Sequence, residues 1–403
     1  MKILWLSNAP WVGSGYGQQT SIWTRKLKEA GHHVDILSNY GLNGSRMVWE
    51  GMTVYPPHWD SWGNDIIELY LAELKPDIVI TLCDAWILKD EWALVRGMRW
   101  VPYVPIDHEP LAENIAQRLR TAFHVLPFGP HGAKMLKEAG ISNYSIVPHG
   151  IDTEVFRPLA GVAKLEDGTV LDRAWFKSHV QAQEDTFVIG MVAANRGGRK
   201  NIHRVIAAFA KFNKEVSNSR LVLHTASTSP DGIDLIKYAN IHGITDNLSL
   251  TPTLRYVLGL TPPEMAALYN AFDILANPSS GEGFGLPIVE AQACGIPVIT
   301  TNFSAMPEVT GVGRVIEPVS HDLVGAPHWM HQATVKDDDI LEAMFSLYRD
   351  WLDKEKWAEM QKQAREFALQ FHIETIWQNF WMPALEKIQS MIQTHTDVGK
   401  WLA

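Results

Sequence analysis

Two glutamates stand eight positions apart in the run SGEGFGLPIVEAQACGIP, Ser280 to Pro297, and the residues between them set what they can do. Gly283-Phe284-Gly285 forms a glycine loop, and Leu286-Pro287 opens a helix. Pro287 suits a first helical turn, because its missing N–H is not needed there and its φ is already helical. Gly295 ends that helix, and Pro297 begins the extended run IPVITT. The loop thus leaves the backbone N–H groups of Phe284, Gly285 and Leu286 at the positive end of a helix, which attracts phosphate. Glu290 lies about one turn further in. A carboxylate there suits the paired hydroxyls of a sugar, so the run points to a ligand with both sugar and phosphate.

The elements that must position this run are legible from the apolar pattern. KILWLS, HVDILS, DIVITL, WVPYVPI, HVLPFG and YSIVPHG read as strands in the first half, with helices such as QTSIWTRKLKEAG between most of them. FVIGMVAA, RLVLHTA, LSLTPT, DILANPS, PVITTN and GRVIEP repeat the plan in the second half. Strand–helix alternation implies parallel sheets covered on both faces, which bind ligands at strand carboxyl ends. The end of the chain, TIWQNFWMPALEKIQSMI, reads as an amphipathic helix interrupted by Pro383.

Composition narrows the class. A chain of 403 residues, 46% hydrophobic and 20% charged, is long enough for two or three globular domains. A formal net charge of −10 argues against general nucleic-acid binding. The only two cysteines, Cys83 and Cys294, lie in apolar elements and read as buried free thiols of a reducing compartment. No apolar run approaches the roughly 20 residues that span a bilayer, and the opening MKILWLSNAPWVG reads as a first strand rather than a signal peptide. A cytoplasmic enzyme is the expectation. Arg25, Lys26 and Lys28 give a slight hint of peripheral membrane contact. Most of the sixteen tryptophans read as core, the reading that also leads for Trp59 and Trp62 in the loop PPHWDSWGN, with stacking on a sugar ring as their alternative.

The EGFGLPIVE run resembles the signature of the retaining glycosyltransferases of family 4, of the EX7E type. The resemblance extends to TPPEMAALYNAFDILANPS, VPHGIDTEVFRP, Ala207-Ala208-Phe209 behind Lys200-Asn201, Met306-Pro307-Glu308-Val309 and, more loosely, AGHHVDIL. It implies an α/β chain of the GT-B fold, two doubly wound Rossmann-like domains facing a central cleft. The expected divisions are an acceptor-side domain 1–158, a linker 159–185, a nucleotide-sugar domain 186–372, and a helix 373–403 returning to the first domain.

It also implies roles. Glu282 would bind hydroxyls of the transferred sugar and Glu290 the ribose of the nucleotide. Lys200, in AANRGGRKNIHRVI, would contact the donor's diphosphate, where a cation offsets the charge left on the departing group. The family's second cation, an arginine five positions earlier, is Asn195 here, a departure that Arg196 or Arg199 could make good by a shifted loop path. The loop Gly13-Ser14-Gly15-Tyr16-Gly17 is not a dinucleotide fingerprint, but its place after the first strand would let Gly15 close over the donor. Asp107-His108-Glu109 follows WVPYVPI. His108 would touch the sugar if that strand ends late, and Asp107 if it does not. Phe284, Gly285 and Leu286 would bind the donor through their main chain.

No metal is expected. Asp337-Asp338-Asp339 reads as the acidic first turn of a helix, and the pairs His32-His33 and His328/His331 lack partners nearby. The expectation is a retaining hexosyltransferase of the EC 2.4 class, using a donor such as UDP- or GDP-hexose without cofactor and acting on an unidentified hydroxyl acceptor. An epimerase or phosphorylase on the same fold is the alternative enzyme. A weakened nucleotide-sugar-binding subunit is the alternative binder, and Asn195 favours it.

Overall fold

Strands buried on both faces need nearly continuous apolar runs, and such runs form both sheets of the computed structural model, which describes residues 1–89, 98–161, 171–324 and 330–401. Met1–Gly150 and Ile373–Ala403 belong to one unit, and Ile151–Val324 with His331–His372 to the other.

The first unit runs β1 (Lys2–Asn8), α1 (Gly15–Glu29), β2 (His33–Tyr40), β3 (Met47–Trp49), β4 (Met52–Tyr55), α2 (Ile67–Leu74), β5 (Ile78–Leu82), β6 (Trp100–Val104), α3 (Glu113–Arg120), β7 (Leu126–Pro127) and α4 (Pro130–Glu138). Its sheet order is β3-β4-β2-β1-β5-β6-β7, parallel except for β3. Alternation along β1 sends Leu4 and Leu6 to one face, with Leu37, Val79 and Trp100. Trp5 faces the other way, and its ring lies 6.4 Å from that of Tyr103 and 6.1 Å from that of Trp381. The expected strand YSIVPHG is not a regular strand. Ser145 and Val147 donate to Val125 and Pro127, but Pro148 has no N–H to continue the ladder.

The second unit runs α5 (Arg173–Ser178), β8 (Phe187–Val192), α6 (Ile202–Glu215), β9 (Ser219–His224), α7 (Leu235–Ile241), β10 (Leu248–Leu250), α8 (Thr253–Leu258), α9 (Pro262–Asn270), β11 (Ile274–Asn277), α10 (Leu286–Ala293), β12 (Val298–Thr301) and β13 (Gly313–Ile316). A hairpin of β14 (Ser320–Val324) and β15 (Met330–Thr334) follows, then α11 (Asp337–Leu352) and α12 (Lys354–Ala368). All six strands of the main sheet, ordered β10-β9-β8-β11-β12-β13, are parallel. Chain order reverses between β8 and β11, and an open α/β sheet binds its ligand at such a point. Gly190 is required in β8, because a Cβ there would lie 2.1 Å from the Phe272 ring.

The boundaries differ from those expected. The division falls at Gly150 rather than Pro158, because Arg365 of α12 donates to the carbonyls of Thr153 (2.8 Å) and Phe156 (2.6 Å) and so holds 151–158 in the second unit. The segment 159–185 is no free linker where it is described; residues 162–170 lie outside the described residues. Leu159 donates to Asn270 (2.8 Å), and Arg173 and the fully buried Lys177 both pair with buried Asp273. Breaking such a buried cluster leaves an uncompensated charge, which makes the segment part of the core.

The C-terminal segment has α13 (Ile373–Ile376), a wide π turn over Trp377–Trp381 and α14 (Met382–Trp401). Pro383 therefore does not interrupt the helix. It sits in the opening turn of α14, and the wider turn before it relieves the clash of its ring with the carbonyl four residues back. Both cysteines are buried and free. Among the described residues no helix is long and apolar enough to cross a membrane. Arg25 pairs with Glu50, Lys26 with Glu374 and Glu29, and Lys28 donates to the Glu50 carbonyl. These cations are answered locally rather than left for a surface. His328 lies outside the described residues.

Candidate functional site

Two loops meet at the switch point of the second sheet. One leads from β8 to α6 and carries Asn195–Asn201; the other leads from β11 to α10 and carries Pro278–Gly285. They are stitched together. Ser280 donates its N–H to the Arg199 carbonyl (2.8 Å), and the Asn201 amide donates to Pro278 O (2.7 Å) and Ser280 Oγ (3.2 Å). Asn201 holds φ 53°, a left-handed conformation that asparagine tolerates better than most residues. The Glu282 N–H is fixed by Ser304 Oγ at 2.9 Å.

This framework brings the Lys200 ammonium onto Glu282 Oε1. Arg199 donates to the Gly281 carbonyl and approaches Glu282 Oε2 to 3.4 Å. Burial would raise the Glu282 carboxyl, but Lys200 and Arg199 outweigh it and lower its pKa to about 2. The folded value thus lies below the ordinary 4.5 of this group. The stability the pair contributes is complete above about pH 4.5 and is lost as pH falls toward about 2. A carboxyl ¹³C titration should find Glu282 ionised through pH 4, and Lys200→Ala should move its midpoint upward. A wild-type midpoint near 4.5 would contradict the pairing.

The start of α10 has the form expected. Gly285 holds φ 100°, and a Cβ there would lie 2.8 Å from Ile288 Cδ1. Ile288 donates back to the Gly285 carbonyl at 2.9 Å, Pro287 has no N–H, and among the described residues the N–H groups of Gly285 and Leu286 have no partner. The side chains of Phe284 and Leu286 turn inward. Phe284 is buried with its ring 5.6 Å from that of Phe371, so only main chain is offered to a ligand. The far end is held by Gln292, which donates to Ile288 and Val309 and accepts from Gly311 and Val312.

Glu290 is buried rather than an exposed helix residue, and the Tyr269 hydroxyl donates to its Oε2 at 2.7 Å. Sequence reasoning missed Tyr269. Its only signal is its place in YNAFD, the helix that packs beside α10.

Asn195 occupies the expected arginine position for a structural reason. Its buried amide donates to Ala226 O (3.0 Å) and Ile233 O (2.7 Å) and accepts from Ile233 N–H (3.0 Å), latching the loop that follows β9. Arg196 is exposed and has no side-chain partner among the described residues. The second cation at Glu282 is Arg199.

Three expected residues lie in the first unit. Ser14 caps α1 by accepting from Gly17 N–H (3.1 Å) and is itself held by Asn8 (2.8 Å), leaving Gly15 at the first helical position. The glycine that sterics demand is Gly17, whose Cβ would meet the Val12 carbonyl at 2.2 Å. β6 ends at Val104 and not late, the case in which the resemblance points to Asp107 rather than His108. His108 is buried, with Nδ1 3.0 Å from Asp107 Oδ1 and Nε2 accepting from Ala112 N–H at 3.3 Å. Both ring nitrogens are therefore engaged, and Asp107, with 26% of its side chain exposed, is the more accessible of the two.

Residues 173–326 match the family described as Glycosyl transferases group 1. A serotype-specific mannosyltransferase, WbdA of Escherichia coli, is 28% identical over 151 residues, 36% of this chain and 18% of that protein. The chain thus spans less than a fifth of that relative's length. Two solved structures share the architecture over nearly the whole chain. Sucrose-phosphate synthase from Thermosynechococcus elongatus gives a TM-score of 0.69 at 16% identity, covering 98% of this chain and 100% of that one. Anabaena Alr3699/HepE, solved in complex with UDP and glucose, gives 0.65 at 17%, covering 97% and 100%. The fold is GT-B.

Proposed function

From the premise that residues 173–326 belong to the group 1 glycosyl transferases, we propose that the chain moves a hexose-type sugar from a nucleotide diphosphate to an acceptor hydroxyl with retention, as the family 4 resemblance implies. One observation carries the reading. At the switch point of a doubly wound sheet, the main-chain N–H groups of Gly285 and Leu286 and a Lys200/Arg199/Glu282 cluster lie on two loops sewn together, with the Tyr269-held carboxylate of Glu290 in the helix that follows. Such an arrangement suits a phosphate at the helix start, with a carboxylate on either side able to take sugar hydroxyls. The mannosyltransferase relative and the neighbour holding UDP and glucose agree with a sugar nucleotide as donor.

In this reading the diphosphate lies on the start of α10, and Lys200 turns from Glu282 to the leaving phosphate. Glu282 then takes hydroxyls of the sugar and Glu290 those of the ribose. The C1–O bond to phosphate breaks as the acceptor oxygen bonds C1 on the same face. The acceptor's proton passes to a phosphate oxygen. Lys200 and the main-chain N–H groups oppose the charge that develops, an effect worth several kcal/mol in a site shielded from water. Following the products of UDP- and GDP-α-hexoses by ¹H NMR tests this. An α product supports retention, and a β product refutes it.

Turnover is expected to survive excess EDTA. The aspartate run that most resembles a cation site is engaged otherwise, with Asp337 3.0 Å from Arg204 and Asp338 2.6 Å from Lys211. Activity lost with chelator and restored by magnesium or manganese would reverse this point.

A further inference from the structure

A tryptophan left in water on an ordered loop needs a reason, since its large apolar face would otherwise be buried. In the first unit Trp59 is 88% exposed, Trp86 45% and Trp62 39%. The segments that carry them are held by hydrogen bonds. Asp65 Oδ2 accepts from the N–H groups of Trp59 (3.0 Å) and Asp60 (3.3 Å), and Asp60 Oδ1 accepts from Trp62 N–H (2.9 Å). Asn64 joins the two loops, donating to Ile87 O at 3.2 Å and accepting from Lys89 N–H at 2.9 Å. One loop follows β4 and the other β5, both at the carboxyl edge of the sheet, and Gly63 lies against Leu6 and Leu37 of the intervening strands β1 and β2. The three indoles therefore share one pinned loop cluster over the end of the sheet that also carries the Gly15 loop and Asp107.

We propose that this cluster is an aromatic platform on which a neutral sugar ring of the acceptor stacks. The proposal rests on the transferase reading above and specifies its acceptor as a glycan or glycan-terminated molecule. Charge selects this occupant. Among the described residues the groups beside the indoles are Asp60, Asp65 and His58, with two cations: Lys89, 3.9 Å from Asp60, and Arg118, which donates to the Trp86 carbonyl at 2.6 Å. Among the described residues these two cations are matched by two carboxylates, so an anionic membrane or nucleic acid would meet no basic excess, whereas indole faces edged by carboxylates suit the C–H face and hydroxyls of a sugar.

The test is a fluorescence titration of the full chain with maltoheptaose, mannotriose and chitohexaose, with UDP- and GDP-hexose binding measured on the same samples. At least one oligosaccharide should shift the tryptophan emission. Trp59→Ala should bind that oligosaccharide about ten-fold more weakly with nucleotide-sugar affinity and thermal midpoint unchanged, since so exposed a side chain carries little stability. Equal binding by the variant, no binding of any of the three, or Trp59-dependent capture on phosphatidylcholine vesicles would overturn the platform. Trp59-dependent oligosaccharide binding without any nucleotide-sugar binding would leave the platform standing and remove the transferase reading beneath it.

Discussion

Lys200→Ala is expected to lower kcat roughly 10²-fold or more, with a smaller change in donor KM. The ammonium already sits in contact with Glu282, so part of its ground-state value is spent on that pair. Its larger effect falls where the diphosphate gains charge and departs. Lys200→Arg should recover only part of the rate, because a planar guanidinium does not reproduce a compact ammonium at this site. The variant must be shown to be folded, since Glu282 would keep only Arg199 beside it. Arg199→Ala should also slow turnover. Arg196→Ala should not, because that side chain is exposed and stands apart from the Glu282 cluster. Normal turnover in both the Lys200 and Arg199 variants would mean that main chain alone holds the phosphate.

Glu290→Ala should weaken donor binding by about 1.5–3 kcal/mol, roughly 10- to 150-fold, through loss of charge-assisted hydrogen bonds to ribose. It should also cost stability, because the Tyr269 hydroxyl would be left buried without its acceptor. Glu290→Gln separates the two effects: its amide oxygen keeps the tyrosine bond while the charge is lost. Reduced donor affinity at an unchanged thermal midpoint in the glutamine variant supports a ribose role. A lower midpoint with unaltered donor affinity would make Glu290 a packing residue only.

How much of this was readable in the chain follows from what each residue does. The strands of the second sheet announce themselves because a parallel sheet covered on both faces needs unbroken apolar runs. β3 and β14 are short and mostly exposed and β15 is short and half-buried, so their sequences carry no such run. Glu282, Gly285 and Glu290 were legible because loop, helix start and helix interior are consecutive. Lys200 was legible too, but not its pairing with Glu282, nor Tyr269 behind Glu290. Lys200 is 82 positions from Glu282 and Tyr269 is 21 from Glu290, distances over which only the completed sheet brings side chains together. Asn195 looked like a missing charge and is instead a latch whose partners lie 31 to 38 positions away. His108 was drawn to the site by its place after β6, yet nothing in the local sequence shows that both of its nitrogens are taken by Asp107 and Ala112.

The central claim is that the loop and helix from Glu282 to Glu290 hold a nucleotide-diphosphate sugar. The most direct measurement is the thermal midpoint of the wild-type chain against a panel of UDP-, GDP- and ADP-hexoses, with Glu290→Gln run beside it. A ligand that binds only the folded state raises the midpoint with its concentration, by about 2.7 kcal/mol of stability at a hundred times Kd. The account predicts a saturable rise with at least one member of the panel and a clearly smaller one in the variant. A wild-type midpoint unmoved by every sugar nucleotide, or a rise of equal size in Glu290→Gln, would contradict it.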